Sequence, residues 1–312
     1  MRLTMTLLLM VGSLSQVSEY SLTAGAGPAA VFPGPDGKVW FAEETGGKIG
    51  SIDIFGQIVE TTLPGAPHLG GITWGPDGKV YSTETAANKV AKFDPVTRVL
   101  IKEFLIPQAA SNPGGIIAGS DGNLWVFETA TNKIVRMTTT GTFLAPFSLP
   151  AGSQYPHGPF VASNGTIWFC ELMSNKIANI TTSGFITEVT LPQLNSQPYV
   201  TVQGSDGAIY FSEFAVNMVG RYDPATRTLR QFVLPTLNSG PLGITSGGDG
   251  NIYFTERNSN KIGMIAVANG TYALTEFFAV TTNSLPNKIT KGADGNVWWT
   301  EQSANKVGTL VP

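Results

Sequence analysis

The sequence predicts an all-β fold, a seven-bladed β-propeller whose blades are four-stranded sheets. A unit of similar sequence repeats along the chain with a period in the low forties, which is typical of propellers. Glycine and proline number 36 and 20 among 312 residues, and 13% of the residues are charged, which suits many tight turns and few helices. Seven turn glycines, spaced 41 to 45 residues apart, mark the repeat: Gly37, Gly78, Gly122, Gly165, Gly207, Gly250 and Gly295.

Each unit reads as four strands, which we call A to D in chain order. Strand A opens with a proline, as in residues 241–245, and an Asp-Gly or Asn-Gly turn then closes a hairpin with strand B. Strand B carries aromatic and β-branched residues and ends in glutamate, as in residues 252–256. An Asn-Lys turn leads into strand C, as in residues 175–180. Strand D, as in residues 186–192, is expected to be the outermost strand of its blade.

The two ends of the chain indicate how the ring closes. The last unit has strands A, B and C, but the sequence stops at Pro312 before a strand D. Residues 17–23 have the strand D pattern of residues 274–280. We therefore expect residues 17–23 to complete the last blade, so that residues 17–312 form one propeller domain without exposed sheet edges.

The residues before the propeller have the features of a secretory signal. Residues 1–16 combine a basic start, a short apolar core and small residues, and the core is too short to span a bilayer. Three sequons, at Asn164, Asn179 and Asn269, fit a secreted glycoprotein.

The single cysteine, Cys170, excludes an intrachain disulfide. A net charge of −3 without a basic run argues against nucleic acid or an anionic membrane as a partner. We expect a monomer, with a dimer as the alternative.

Residues shared by the units are expected to build the blades. A ring of seven strand B glutamates could hold a metal, but a residue present in every unit is more simply a hydrogen-bond acceptor within its own blade. The asparagines of the Asn-Lys turns suit left-handed turn geometry, and the strand B tryptophans suit the core between blades. The seven glutamates are Glu43, Glu84, Glu128, Glu171, Glu213, Glu256 and Glu301.

Residues that differ between units are the candidates for function. In a propeller, the residues after the opening proline and after the strand B glutamate surround the same mouth of the central channel. His157 and His68 can transfer a proton or donate to an oxyanion, and Tyr199 can donate a hydrogen bond. Arg257 can bind a carboxylate or an oxyanion, and Glu44, in a pair with the preceding glutamate, can act as a base. We predict that these five residues are catalytic.

The same mouth is predicted to bind a small, mostly apolar molecule through a few hydrogen bonds. Its residues differ from blade to blade, which favours one asymmetric site over seven equivalent ones. No glycine-rich phosphate loop precedes a helix, so no nucleotide cofactor is indicated. The predicted binding residues are Phe214, Leu172, Met173, Leu242, Gln302, Lys288, Asn287 and Asn112.

Three motifs resemble the streptogramin B lyase (virginiamycin B lyase) family over residues 17–312. They are Pro-x-Gly-Ile in strand A, Asp-Gly-x-(Ile/Val)-(Trp/Tyr)-Phe-Thr-Glu from the turn into strand B, and Asn-Lys-Ile-Gly in strand C, and residues 250–263 show the last two well. The resemblance implies a seven-bladed propeller that opens a cyclic depsipeptide by elimination across a C–O ester bond. It implies histidine and glutamate on the channel face, with Mg²⁺. Similar fungal propellers include cyclases that assist hetero-Diels–Alder ring formation.

The sequence departs from the lyase pattern at the catalytic histidine, which in those lyases follows a strand B glutamate of a late blade. Here Arg257 follows Glu256, and Gln302 follows Glu301. We therefore expect a secreted enzyme of secondary metabolism, a lyase or a cyclase of the Diels–Alderase type, without a redox cofactor and without Mg²⁺. Two alternatives stay open, namely a non-catalytic propeller that binds a ligand or a protein, and a metal-dependent lactonase-like hydrolase.

Overall fold

Seven four-stranded antiparallel sheets form the fold, and within each sheet the strands follow one another in chain order. The computed structural model describes residues 17–65, 68–268, 270–279 and 281–312. The strands are β1 (Val17–Ser21), β2 (Pro28–Pro33), β3 (Val39–Glu43), β4 (Lys48–Ile52), β5 (Ile58–Thr62), β6 (Leu69–Trp74), β7 (Val80–Glu84), β8 (Lys89–Asp94), β9 (Val99–Leu105), β10 (Pro113–Ala118), β11 (Leu124–Glu128), β12 (Lys133–Met137), β13 (Phe147–Ser148), β14 (Pro156–Val161), β15 (Ile167–Glu171), β16 (Lys176–Ile180), β17 (Ile186–Thr190), β18 (Pro198–Gln203), β19 (Ile209–Glu213), β20 (Met218–Asp223), β21 (Thr228–Val233), β22 (Pro241–Ser246), β23 (Ile252–Glu256), β24 (Lys261–Ala268), β25 (Thr271–Phe278), β26 (Pro286–Lys291), β27 (Val297–Glu301) and β28 (Lys306–Leu310).

Blades 1 to 6 are β2–β5, β6–β9, β10–β13, β14–β17, β18–β21 and β22–β25, and blade 7 combines β26–β28 with β1. A single 3₁₀ turn, Phe214–Val216, is the helical element of the described residues. The strand β1 pairs antiparallel with β28, with Val17 opposite Leu310 and Ser21 opposite Lys306. The predicted seven-bladed propeller and its closure by the N-terminal strand are therefore confirmed. The predicted signal segment, residues 1–16, lies outside the described residues.

Strand B is buried along its whole length in all seven blades, because each blade packs between two neighbours. Its aromatic side chains also stabilise the preceding turn. The Tyr253 hydroxyl donates to Asp249 Oδ2 at 2.9 Å, and the Trp125 indole donates to Asp121 Oδ1 at 3.0 Å. Burial on both faces thus stabilises strand B, and the polar tip of an aromatic side chain stabilises the hairpin turn before it.

The turn residues adopt the backbone geometry that their sequence predicts. All seven turn glycines have φ between 72° and 83°, where a side chain would be strained. The asparagines of the Asn-Lys turns have φ between 53° and 60° in six blades. One of them also closes the ring, because Asn305 Oδ1 accepts the Gly27 N–H at 2.9 Å across the junction between the last blade and the first.

The glutamates at the end of strand B are buried inside their blades, and none of them lines the channel. In five blades each one faces a second glutamate on strand D, and a strand C lysine contacts the strand D residue, as Lys261 Nζ does with Glu276 Oε2 at 2.6 Å. Burial, followed by the neighbouring Glu60 carboxylate, raises the pKa of Glu43 to about 8. These residues hold the blade together, as the repeat predicts. The pairs are Glu43–Glu60, Glu84–Glu103, Glu171–Glu188, Glu256–Glu276 and Glu301–Glu19.

One backbone hydrogen bond, repeated in all seven blades, places the two sets of variable residues side by side. The N–H of the residue after the strand B glutamate donates to the carbonyl of the residue before strand A, as from Arg257 to Gly240 at 3.1 Å and from Leu172 to Tyr155 at 3.1 Å. The D–A and B–C connections therefore lie on the same face, as predicted. We call this face the channel mouth.

Candidate functional site

The central channel is a cavity of about 1220 Å³ that is lined by strand A of every blade. Blades 2 and 3 line it with glycines such as Gly70 and Gly114, whereas blades 4 to 7 contribute large polar and apolar side chains. At the channel mouth the residues after strand B complete the wall. Glycines therefore line one side of the cavity and large polar and apolar side chains line the other, as expected for one asymmetric binding site.

His157 and Tyr199 stand next to each other on strand A of blades 4 and 5. Their ring centroids are 4.3 Å apart, and His157 Nδ1 lies 3.1 Å from the Tyr199 carbonyl oxygen. Because a carbonyl oxygen only accepts, the proton is assigned to Nδ1, and Nε2 is left with its lone pair. In the described part of the chain neither Nε2 nor the Tyr199 hydroxyl has a hydrogen-bond partner. The site thus presents one acceptor and one hydroxyl together.

Burial sets the protonation states of these two side chains. Burial, reinforced by the positive charge of Lys288, lowers the pKa of His157 to about 3, so the imidazole is neutral at physiological pH. Burial raises the pKa of Tyr199 to about 12, so its hydroxyl keeps its proton. The imidazole therefore keeps a free lone pair at Nε2, as a base weakened by its lowered pKa, and the phenol can donate a hydrogen bond.

Lys288 follows on strand A of blade 7, and its Nζ lies 4.2 Å from the centroid of the Tyr199 ring. Burial lowers the pKa of Lys288 to about 7, and the charge of Arg257 acts in the same direction. No ion pair or hydrogen bond joins Nζ to another residue between positions 17 and 312 that the structure describes. Below about pH 7, Lys288 is thus a cation held over an aromatic face in the cavity wall.

Arg257 is fixed at the channel mouth by a chain of side-chain hydrogen bonds. Its Nη2 donates to Gln302 Oε1 at 2.6 Å, and Gln302 Nε2 donates in turn to Glu44 Oε2 at 2.9 Å. Asn287 Nδ2 approaches the same Gln302 oxygen at 3.5 Å. Arg257 Nη1 is buried, and none of the described residues accepts a hydrogen bond from it. Four of the predicted polar residues are therefore brought into one network.

Leu172, Phe214 and Leu242, three of the predicted binding residues, line the cavity and form an apolar wall. Met173 does not join them. It lies in the B–C turn of blade 4, its side chain is 63% exposed, and it is not part of the cavity wall. Asn112 lies at the edge of the cavity, where its Nδ2 donates to Thr129 Oγ1 at 3.0 Å.

The predicted position of His68 was wrong. The sequence places it after an opening proline, but the strand register aligns Leu69, not Pro67, with the opening prolines of the other blades, because Leu69 pairs with Glu84. His68 is therefore the residue before strand A, where its carbonyl accepts the Thr85 N–H at 2.9 Å. Its side chain is exposed and does not line the cavity.

The position before strand A supplies two site residues that the sequence reading missed. Tyr155 and Gln197 both line the cavity from this position, with φ of 61° and 50°. Left-handed φ values at non-glycine residues before a proline are costly and point to a fixed loop geometry. Comparing the residue before each opening proline, not only the one after it, would have found both.

The mouth does not fit the Mg²⁺ that the resemblance implies. Among the described residues Glu44 is the one carboxylate in its wall, and Arg257 and Lys288 bring two positive charges beside it. No group of three His, Cys, Asp or Glu side chains positioned to hold a metal occurs in the described part of the molecule. Because Mg²⁺ is bound through oxygen ligands and carboxylates, this donor set disfavours it, and no reaction step is assigned to a metal.

The fold and the site together define a class: a seven-bladed β-propeller with a single asymmetric site at the mouth of its channel. The model of the virginiamycin B lyase family matches residues 10–199 and 69–312. The chain belongs to the virginiamycin B lyase family, which supports a lyase-type enzyme in general. Comparison with the curated proteins gives no match. No helix in the described ranges is long and apolar enough to cross a membrane.

Solved structures of similar shape include virginiamycin B lyase from Staphylococcus aureus. Its selenomethionine form is 32% identical, with a TM-score of 0.87 over 96% of this chain and 100% of that chain. A catalytically inactive His-to-Ala variant of the same lyase, with quinupristin, is 31% identical, with the same TM-score and coverage. Kuenenia stuttgartiensis hydrazine synthase, 17% identical with a TM-score of 0.73 over 93% of this chain and 96% of that chain, shares the fold alone.

Proposed function

We propose that this propeller is a lyase-type enzyme that binds a small, mostly apolar natural product at the channel mouth and eliminates across a C–O bond. The observation that carries this proposal is the contact of the His157 and Tyr199 rings in the cavity wall, with Nε2 and the hydroxyl without a hydrogen-bond partner among the described residues. Membership of the virginiamycin B lyase family supports elimination as the type of reaction. The apolar wall of Leu172, Phe214 and Leu242 supports the mostly apolar substrate.

In the proposed reaction His157 accepts the proton, and Tyr199 stabilises the oxygen that gains negative charge. His157 Nε2 takes the proton from the carbon next to a carbonyl group, and the released electron pair forms a carbon–carbon double bond. As this double bond forms, the C–O bond on the neighbouring carbon breaks, and its electron pair leaves on the departing carboxylate oxygen. The Tyr199 hydroxyl donates a hydrogen bond to the oxygen on which negative charge develops, which is worth roughly 3 kcal/mol in comparable sites.

Ring formation is the second candidate, and the size and lining of the cavity favour it. A volume of about 1220 Å³ exceeds that of many single-ligand pockets and can hold a folded, reactive conformer against the apolar wall. In this reaction the Tyr199 hydroxyl polarises a carbonyl group, and no base is needed. The two candidates differ in their demand for His157, which only the elimination requires.

The test uses quinupristin and a simple β-acyloxy ester as probes, with ring opening or alkene formation followed by chromatography. We expect His157→Gln to lower kcat at least about a hundredfold and Tyr199→Phe about tenfold to a hundredfold. His68→Gln and Tyr222→Phe are the matched controls, because both residues lie outside the cavity. Failure of the wild-type protein to eliminate either probe, or equal rates in His157→Gln and the wild type, would contradict elimination.

We also propose that the protein is secreted and carries a glycan at Asn164. The Asn164 side chain is exposed at an A–B turn, on the face opposite the channel mouth, whereas Asn179 is half-buried within β16. Asn269 lies outside the described residues. Expression in a secreting eukaryotic host tests this: we expect a glycosidase-sensitive mass increment in the medium that Asn164→Gln removes. Retention in the cells, or an increment that survives this substitution, would contradict the proposal.

A further inference from the structure

We infer that Arg257 and Lys288 form an anion subsite, and that the ligand of this propeller carries a carboxylate that binds between them. The inference rests on the proposed small-molecule site and adds the chemical class of its ligand. It concerns a carboxylate present in the ligand from the start, separate from any carboxylate that elimination releases.

The first argument is that both residues line the cavity and that each carries a donor without a partner among the described residues. Arg257 Nη1 is buried without an acceptor among the described residues, while Nη2 is fixed by Gln302. A buried guanidinium donor without a partner is costly, so a group that accepts from it is expected in the bound state. Lys288 Nζ lies over Tyr199 at 4.2 Å, and no carboxylate of the described chain forms an ion pair with it.

The second argument is the contrast with the other basic residues. Lysines of the blades pair with acidic side chains, as Lys176 does with Glu188 at 3.0 Å and Lys306 with Glu19 at 2.9 Å. Arg257 and Lys288 instead repel each other, since the charge of Arg257 is one cause of the lowered pKa of Lys288. Two like charges held in one cavity are stabilised together by an anion placed between them.

The charge of the mouth selects a monoanion. Arg257 and Lys288 outnumber the single carboxylate of Glu44 by one charge, and Gln302 already donates to that carboxylate. A carboxylate restores neutrality and matches the planar edge of a guanidinium. A phosphate group, with four polar oxygens, would bring oxygens without partners against the apolar wall of Leu242 and Phe214.

The test measures binding, not turnover, and therefore separates this inference from the proposed reaction. Benzoate and its neutral isostere benzamide are titrated calorimetrically into the whole protein at pH 6, with inorganic phosphate as a further arm. We expect benzoate to bind at least about tenfold more tightly than benzamide and more tightly than phosphate. Arg257→Gln and Lys288→Met should each weaken benzoate on the order of tenfold and leave benzamide unchanged. Arg230→Gln and Lys102→Met, exposed on outer strands, are the matched controls.

The pH dependence provides a second readout. Benzoate affinity should fall as the pH rises from 6 to 9, because Lys288, whose pKa is about 7, loses its charge over this range. Around Lys288, Arg257 keeps its charge; the pKa of His157, about 3, and of Tyr199, about 12, keep both neutral, and burial raises the pKa of Cys170. Glu44 and Tyr155 are the remaining ionisable groups of the mouth. The Lys288→Met variant should lose the pH dependence.

Four results would overturn the inference. They are equal binding of benzoate and benzamide, preferential binding of phosphate, variants of Arg257 and Lys288 that bind benzoate like the wild type, and no benzoate binding at millimolar concentration. Circular dichroism and the thermal midpoint of each variant show whether it folds, and Lys288→Arg, which keeps the charge, should retain most of the affinity if the subsite is electrostatic.

Discussion

Gln302 Nε2 donates to Glu44 Oε2 at 2.9 Å, and this contact joins the last blade to the first across the channel mouth. Through its other amide atom, Gln302 also accepts from Arg257 of blade 6 at 2.6 Å. One glutamine thus keeps a carboxylate and a guanidinium apart while it orients both. Without it the two charges are free to pair directly, and Arg257 loses the acceptor that orients it.

Replacing Gln302 with leucine should therefore affect ligand binding more than folding. We expect benzoate affinity to fall about fivefold to tenfold, because Arg257 loses its orienting acceptor. The free energy of unfolding should change by about 1 kcal/mol or less, since the site is partly exposed and Glu44 and Arg257 can compensate each other. Calorimetric titration and urea denaturation measure the two quantities. Gln57→Leu, on an exposed turn, is the control; a larger stability loss with unchanged affinity would make Gln302 a structural residue.

Metal removal should leave the protein unchanged in ligand binding and in any elimination activity. The mouth offers one carboxylate beside two cations, which is a poor site for Mg²⁺. We expect turnover and benzoate affinity in excess EDTA to match the untreated protein, as measured by chromatography and calorimetry. Loss of either in EDTA, with recovery on adding Mg²⁺, would return the chain to metal-dependent chemistry.

The buried carboxyl groups of strand B predict that stability falls as the pH rises from about 5 to 8. Burial raises the pKa of Glu43 to about 8 and of Glu256 and Glu301 to about 7. Below about pH 4.3, the pKa of glutamate in the unfolded chain, these carboxyl groups are protonated in both states, so their full contribution to stability is present. Above it the unfolded chain releases protons that the folded chain retains, and the contribution is lost as the pH passes through 7 to 8.

Urea denaturation at pH 5, 6.5 and 8 measures this effect. Each carboxyl that stays protonated in the fold lowers the free energy of unfolding by about 1.4 kcal/mol per pH unit between its two pKa values. Glu43→Gln removes one such group and should reduce the slope by about one proton. The strand D glutamates Glu60 and Glu276 have lowered pKa values despite their burial, because hydrogen bonds favour their charged form. These two glutamates stabilise the fold above about pH 4.3, and their contribution is lost in acid. A stability that rises from pH 5 to 8 would therefore contradict the raised pKa values assigned to the strand B carboxyl groups.

The repeat predicted the fold because the same residue types recur at the same positions of every unit. The turn glycines with left-handed φ, the fully buried strand B of each blade and the closing strand β1 each follow from a local signal. The site was only partly predictable. His157, Tyr199, Arg257 and Lys288 were found as departures from the repeat, and the structure brings them to one mouth.

The misplaced residues show where the sequence signal is weak. His68 follows a proline, but strand pairing, not the nearest proline, defines where strand A begins. Met173 follows an apolar neighbour, Leu172, yet the turn directs only one of the two toward the cavity. The unpaired state of Arg257 Nη1 depends on which side chains meet across blades, and that relationship has no local sequence pattern.

Blade 5 differs from the five blades with a glutamate pair at two positions that compensate each other, and this predicts a double-mutant effect. Gln231 occupies the strand D position of the second glutamate, and Met218 that of the strand C lysine. Gln231 Nε2 donates to both oxygens of Glu213 at 2.8 and 2.9 Å, so Glu213 is satisfied without a shared proton or a cation. In this blade a neutral amide thus replaces the second glutamate, and an apolar side chain replaces the lysine.

Gln231→Glu should lower the free energy of unfolding by roughly 2 kcal/mol at pH 8, because it places a second buried carboxylate beside Glu213 without a lysine. The loss should be smaller at pH 5, where one carboxyl of the pair can hold a proton. Adding Met218→Lys should recover most of the stability, since the pair then matches Glu43, Glu60 and Lys48 of blade 1. Urea denaturation of both single variants and the double variant at the two pH values measures the coupling. A Gln231→Glu variant as stable as the wild type at pH 8, or a double variant no better than that single one, would show that the two positions vary independently.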